Sequence, residues 1–272
     1  MKKVITYTGA EAEDFASWEI KQKKLPPDYA YFPKTFFRKG FAFVFYHLIA
    51  TPLVFLMQKI LYGERIVGRK KLRPYRKSGY FLYGNHTRAA GDAYAPSLVA
   101  FPKKAYILAN PDCVSIPGLR RVVEDLGAVP LPTSAAGWRN FREAIRIHAE
   151  RGHVIAVYPE AHIWPYFTGI RPFPSASFRY PAEEGKPVFT FTAVYRRRLF
   201  FRLPRVVLFI DGPYFGREGA SARENQEILC RQCRDAMTRR ASLSTYRHVE
   251  YRKIPDETQT IPEDQKIASG AE

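Results

Sequence analysis

His86 and Asp92, with five residues between them in the stretch 80–101 ("YFLYGNHTRAAGDAYAPSLVAF"), are the residues of this chain best suited to chemistry. A histidine can accept a proton from a hydroxyl near neutral pH, and a carboxylate bonded to its other ring nitrogen fixes the tautomer and stabilises the imidazolium. No serine stands beside His86. The hydroxyl it would activate is therefore the substrate's own, in a direct acyl or phosphoryl transfer without a covalent enzyme intermediate. The competing reading is structural: a histidine that caps the turn and an aspartate that favours the start of a helix. A second polar loop, 157–173 ("VYPEAHIWPYFTGIRPF"), offers Glu160, His162 and Arg171. There is no G-x-S-x-G elbow, Walker loop, G-x-G-x-x-G or H-E-x-x-H. Cys230 and Cys233 have no second ligand pair at zinc spacing, so neither a metal nor a cofactor is expected.

Strands and helices must bring these loops together. Strand patterns rich in Val, Ile, Phe and Tyr are predicted at 80–84, 104–109, 128–131, 153–158, 187–195 and 205–211. Between them fall helical stretches at 93–101, 135–150 and 218–242. In the second of these, Trp138, Phe141, Ile145 and His148 recur at three- and four-residue spacing, which makes His148 a helix-face residue and not a ligand. Alternation of this kind predicts a layered α/β domain with a largely parallel sheet, whose strand ends on one edge carry the site. The expected division is a polar N-terminal arm (1–33), an apolar helical segment (34–62), a catalytic domain (63–252) and a polar, acidic, disordered tail (253–272).

Charge and hydropathy indicate the partner. Lysine and arginine number 43 against 26 aspartate and glutamate, a net charge of +17, which calls for an anionic partner: nucleic acid, an anionic membrane or a phosphorylated substrate. Residues 36–61 are apolar and aromatic with basic ends at Arg38, Lys39 and Lys59. They read as a helix or helical hairpin, bent at Pro52, lying in the lipid interface with Phe41, Phe43, Phe45, Phe55 and Leu56 as membrane contacts. A buried core helix and a true span are the alternatives. The basic run 65–77 and the Arg/Phe-interleaved stretch 195–205 would add attraction to anionic lipid.

Four blocks in order resemble the glycerolipid acyltransferases typified by 1-acyl-sn-glycerol-3-phosphate acyltransferase. "NHTRAAGD" (85–92) resembles the NHx4D signature, "LGAVPLP" (126–132) the GxxFIxR block, "YPEAHIWP" (158–165) the FPEGT block, and "KPVFTFTAVY" (186–195) a further Pro-containing strand. The resemblance runs from about residue 66 to 214. It implies a monotopic protein on the cytoplasmic membrane face that moves a fatty acyl group from acyl-CoA or acyl-carrier protein to lysophosphatidate. In that reading His86 is the general base and Asp92 its orienter, while Asn85, Tyr158, Pro159, Glu160 and His162 lie about the acceptor.

The departures from the pattern are specific. Five residues separate His86 from Asp92 where the family has four, with Gly91 expected to absorb the extra one. Ala161 and His162 replace the Gly and Thr of FPEGT. Thr133 stands where the family's phosphate-holding arginine belongs. Arg171 is the first substitute for that arginine, followed by Arg139 and Arg179. Three alternatives stay open: an acyltransferase for another lysolipid, a non-enzymatic nucleic-acid-binding protein using Tyr and Phe as stacking platforms, or a lipid-binding relative whose altered blocks abolish catalysis. No nucleic-acid motif accompanies the charge.

Overall fold

The computed structural model describes residues 3–8, 14–15, 22–33, 35–89 and 91–254. At its centre is strand β3 (Tyr80–Gly84), an unbroken apolar run whose residues 80–83 are at most 1% exposed. Such a run suits a strand covered on both faces. Alternation of side chains then sorts its residues between two cores. Tyr80 and Leu82 pack with Phe189, Phe191, Val99 and Leu72 on one side. Phe81 and Tyr83 pack with Phe141, Ile145, Phe178 and Met237 on the other.

Around β3 lie β2 (Arg65–Val67), β4 (Ala105–Ala109), β5 (Ala128–Pro130), β6 (Val154–Val157), β7 (Val188–Arg196) and β8 (Arg205–Tyr214), in the order β2-β8-β7-β3-β6-β4-β5. The pairs β7–β3, β3–β6, β6–β4 and β4–β5 are parallel. β7 and β8 pair antiparallel, and β2 runs parallel to β8. The β7–β8 connection is too short for the crossover a parallel pair needs, so the chain must fold back as a hairpin. The mixed α/β class with a mostly parallel sheet is as the sequence predicts.

Helices α3 (Ala95–Ala100), α4 (Arg120–Asp125), α5 (Gly137–Glu150), α6 (Arg179–Glu184) and α7 (Ala222–Ala241) complete the layers. α7 begins with a reciprocal cap: Ser221 Oγ accepts from Glu224 N–H at 3.2 Å and Glu224 Oε2 accepts from Ser221 N–H at 2.8 Å. Its Cys230 and Cys233 face the core, where burial pushes both thiols up. On α5, Phe141, Ile145 and His148 are buried, while Trp138 in the first turn is 41% exposed and touches Phe141 edge-on. His148 packs on Tyr106 and shares a proton with His153, Nδ1 to Nδ1, at 2.9 Å.

Residues 36–62 form one 27-residue helix and not a hairpin bent at Pro52. It comprises α1 (Phe36–Val44), a π-helical turn (Phe45–Ala50) and α2 (Thr51–Tyr62). Thr51 N–H reaches back to Tyr46 O, so the π turn takes up the register change just before Pro52, a residue with no N–H to donate within the continuous helix. By length and composition this helix could cross a membrane. Phe41, Phe43, Phe55 and Leu56 are each more than half exposed, and the partly covered Phe45 stacks on Phe41. Tyr46, Thr51 and Gln58 face the protein. The tip of the β7–β8 hairpin, with Leu199 82% and Phe200 93% exposed, lies at the helix's carboxy end, where Arg198 donates to the carbonyls of Ile60 and Leu61.

The described part of the N-terminal arm is integrated into the fold. β1 (Lys3–Tyr7) pairs in parallel with β9 (Val249–Lys253). Residues 22–33 strap across the carboxy ends of β4 and β5, burying Leu25 and Tyr29. Of the tail expected to be disordered, Lys253 closes β9 and the part from residue 255 lies outside the described residues.

Candidate active site

Parallel neighbours β3 and β6 end at the same edge of the sheet, and each releases a loop there. The last residue of β3, Gly84, has no room for a side chain, since a Cβ there would lie 2.3 Å from the Phe191 ring. Beyond it, Asn85 is clamped to β7: its side-chain oxygen accepts from Ala193 N–H at 2.7 Å and its amide donates to Ala193 O at 3.2 Å. The next residue, His86, is thereby held at a fixed point.

His86 Nδ1 lies 2.9 Å from Asp92 Oδ2. An ionised carboxylate only accepts, so Nδ1 carries the proton and Nε2 is the basic atom. The extra residue is absorbed as follows. Asp92 N–H bonds Arg88 O at 3.1 Å and Arg88 N–H bonds Asp92 Oδ2 at 2.9 Å, closing a tight loop. Gly91 is needed there for space, since a Cβ would lie 2.5 Å from the Arg88 guanidinium. Arg88 itself is buried between Asp92 and Glu64, donating to Glu64 Oε2 and to Gly91 O. Burial opposes its charge, but Glu64 and Asp92 outweigh that and hold the guanidinium above its ordinary range. Thr87 Oγ1 meets the Tyr195 hydroxyl at 2.7 Å, and Tyr195 in turn donates to Thr87 O. Neither Arg88, Glu64, Thr87 nor Tyr195 was expected from sequence. The one signal was an arginine amid Ala and Gly beside Asp92; its partner Glu64 is distant in sequence.

The second loop is knitted onto this one. Glu160 Oε2 accepts from His86 N–H at 3.1 Å, Trp164 N–H donates to His86 O at 3.1 Å, and Tyr166 N–H donates to Thr87 O at 2.7 Å. Tyr158 stacks its ring on His86, centroids 4.4 Å apart, and its hydroxyl donates to Asp92 O at 2.6 Å. Burial raises that hydroxyl well above the ordinary tyrosine range. Pro159 is buried. Ala161 and Tyr166 both have positive φ, 63° and 60°. Ala161 thus adopts the left-handed conformation that the glycine of the FPEGT-like block would take without cost.

Several residues expected against substrate are engaged within the protein instead. Asn85 is spent on Ala193. Glu160 is 4% exposed and accepts from His86 N–H and from Arg171 N–H at 3.1 Å, while Arg171 Nη2 lies 3.4 Å from Glu160 Oε2, donates to His162 O and rests over Trp164. Burial raises the Glu160 carboxyl and lowers the Arg171 guanidinium, and each supports the other's charge. Thr133, in the place of the missing arginine, accepts from Leu25 N–H at 2.8 Å and donates to Leu25 O, anchoring the strap. His162 faces Asp14 at 3.8 Å. Arg139 is exposed on α5, and Arg179 is exposed and paired with Glu183. Aromatic packing from both chain ends covers the loop: Tyr7, Phe15 and Tyr251 surround Trp164, and Tyr251 donates to Pro165 O.

No protein-family model matches the chain, and no curated protein matches it. Among solved structures it is similar to the crystal structure of the 1-acyl-sn-glycerophosphate (LPA) acyltransferase PlsC from Thermotoga maritima, at 16% identity and a TM-score of 0.51, over 74% of this chain and 87% of that one. At that identity the shared feature is the fold.

Proposed function

We propose that the protein is an O-acyltransferase that moves a fatty acyl group from acyl-CoA or acyl-carrier protein to the free hydroxyl of lysophosphatidate, giving phosphatidate in phospholipid biosynthesis. The observation that carries the reading is the 2.9 Å His86–Asp92 contact at the carboxy edge of a parallel sheet, on a fold similar to that of a lysophosphatidate acyltransferase. His86 Nε2 takes the acceptor's hydroxyl proton as its oxygen attacks the thioester carbonyl, and Asp92 stabilises the imidazolium. Collapse of the tetrahedral intermediate breaks the C–S bond, and the imidazolium returns the proton to the departing thiolate. Arg88 and Glu64 hold Asp92 in place, Tyr158 fixes the plane of the imidazole, and Glu160 holds the His86 backbone. No metal or cofactor takes part in this scheme. The exposed apolar face of the 36–62 helix and the 199–201 hairpin tip would seat the protein on the cytoplasmic face of a membrane, the surrounding arginines meeting lipid phosphates.

A second acceptor reading has its own support. Arg171 and Thr133, the positions expected to meet the acceptor phosphate, are engaged by Glu160 and Leu25, which favours a lysolipid with another headgroup. The test is thiol release from oleoyl-CoA in mixed micelles, with lysophosphatidate or lysophosphatidylglycerol as acceptor and His86→Ala alongside. The expected result is acceptor-dependent release that falls about 10²- to 10⁴-fold in the variant. Near-wild-type turnover in His86→Ala would refute the assignment, and release with lysophosphatidylglycerol alone would select the second acceptor.

A further inference from the structure

At the opposite, amino edge of the sheet a cavity of about 330 Å³ opens between the 3₁₀ helix Arg69–Tyr75 and the turn after α3. Its walls carry Arg69, Lys70, Arg73, Arg76 and Lys103 and no acidic residue. Among the described residues none of these five cations is within ion-pair distance of a carboxylate, whereas Lys71 next door is paired with Asp211 at 2.8 Å. The remaining wall is apolar, formed by Leu72, Val99, Phe101 and Pro102 with Tyr80. Two of the cations are fixed in place. Arg69 donates to Phe101 O, and Lys103 donates to Tyr75 O at 3.2 Å and rests 4.7 Å over the Tyr80 ring. Burial lowers the Lys103 ammonium to about 8 and lowers Arg69 as well. Gathering like charges in a half-enclosed cavity opposes folding unless a counter-charge enters.

The position of the cavity indicates the counter-charge. His47, on the apolar helix, has Nε2 3.0 Å from Pro102 O and its ring against Phe101, which is 38% exposed. The cavity rim is thus joined to the surface that carries Phe43 and Leu48. Tyr80 opens β3 and His86 follows its end, so at ~3.3 Å per residue the cavity lies up to ~20 Å from the reacting centre. A cavity of this size holds more than a bare phosphate and lies within the usual range for small ligands, ~300–1,000 Å³.

We propose that this cavity is a phosphate-binding site for an anionic phospholipid headgroup, separate from the acyl-transfer centre. The phosphate sits among Arg69, Arg73, Arg76 and Lys103, and the glycerol carbons lie on Phe101 and Pro102. The proposal rests on the lipid-facing reading of the 36–62 helix and is independent of the acyl-transfer reading.

The test uses the full chain, with short-chain soluble phosphatidylserine, which is not the product of the proposed transfer, as the probe in calorimetry, and compares wild type, Arg73→Gln/Arg76→Gln and His86→Ala. Both arginines are exposed, and unchanged melting verifies the fold. The expected result is saturable binding in wild type and His86→Ala, weakened roughly 25-fold in the double variant, at roughly fivefold per cation. Thiol-release turnover on micellar acceptor should be unchanged in the double variant. Equal binding by wild type and the double variant overturns the proposal. So does binding of inorganic phosphate or coenzyme A as tight as that of phosphatidylserine, which would assign the cavity to a free phosphate or to the acyl donor. Vesicles of neutral phosphatidylcholine test the helix separately: wild type that ignores them removes the lipid-facing premise and with it the assignment of the cavity to a phospholipid.

Discussion

Arg88, at the carboxy edge of the sheet, and Arg73, at the amino edge, are the same side chain in opposite circumstances. Arg88 is buried between Glu64 and Asp92, and nearby Arg171 is buried against Glu160. Each is consumed in holding a loop beside His86. Arg73 stands exposed with Arg69, Lys70 and Arg76, without a carboxylate among the described residues. The net charge of +17 is therefore not one property. Its buried share is architecture and its unpaired share is available to a ligand, and only the partners of each arginine tell the two apart.

The sharpest way to break this comparison is to remove the buried member. Arg88→Met leaves Glu64 and Asp92 facing one another, with an expected loss of about 3–5 kcal/mol of stability in urea unfolding. Adding Glu64→Leu should recover part of the loss, and no recovery would mean that Arg88 acts by packing alone. Acid provides the next largest effect. Burial, with positive charge from Arg151 and Lys104, lowers His148 to about 3 and His153 to about 4, from an ordinary 6.5. The unfolded chain then takes protons before the folded one. The stability these neutral rings contribute is complete above pH 6.5 and is lost as pH falls towards 4 and 3. The melting temperature should drop by several degrees over that window, and His153→Gln should flatten the drop; an unchanged profile would remove the pair from the account.

Smaller still is Ala161→Gly. It relieves a left-handed residue and should add about 1 kcal/mol. A loss instead would mean that the alanine methyl packs usefully in the loop. Smallest is Arg73→Ala, expected to change stability by less than about 0.5 kcal/mol. A large loss in urea unfolding would place Arg73 with Arg88 and dissolve the contrast.

What could be read from the sequence follows the range of the interactions. β3 and β6 were plain because a strand buried on both faces is an unbroken apolar run. His86 and Asp92 were plain because both lie in one turn. Asn85, Glu160, Arg171 and Thr133 were read as lying about the acceptor, but the partners they have in the fold, Ala193, His86 and Leu25 among them, come from remote segments that no local pattern announces. β1 and β9 were missed for the same reason: each is short, half-exposed and meaningful only beside the other.

That last pairing bears on how the protein is made. Lys3–Tyr7 leaves the ribosome long before its partner, Val249–Lys253. Contacts of such long sequence separation form late. The Trp164 loop, which Tyr7 and Tyr251 enclose together, is consequently among the last parts of the molecule to be fastened. A nascent chain would carry its sheet and its histidine well before it could hold the Glu160 loop in working order.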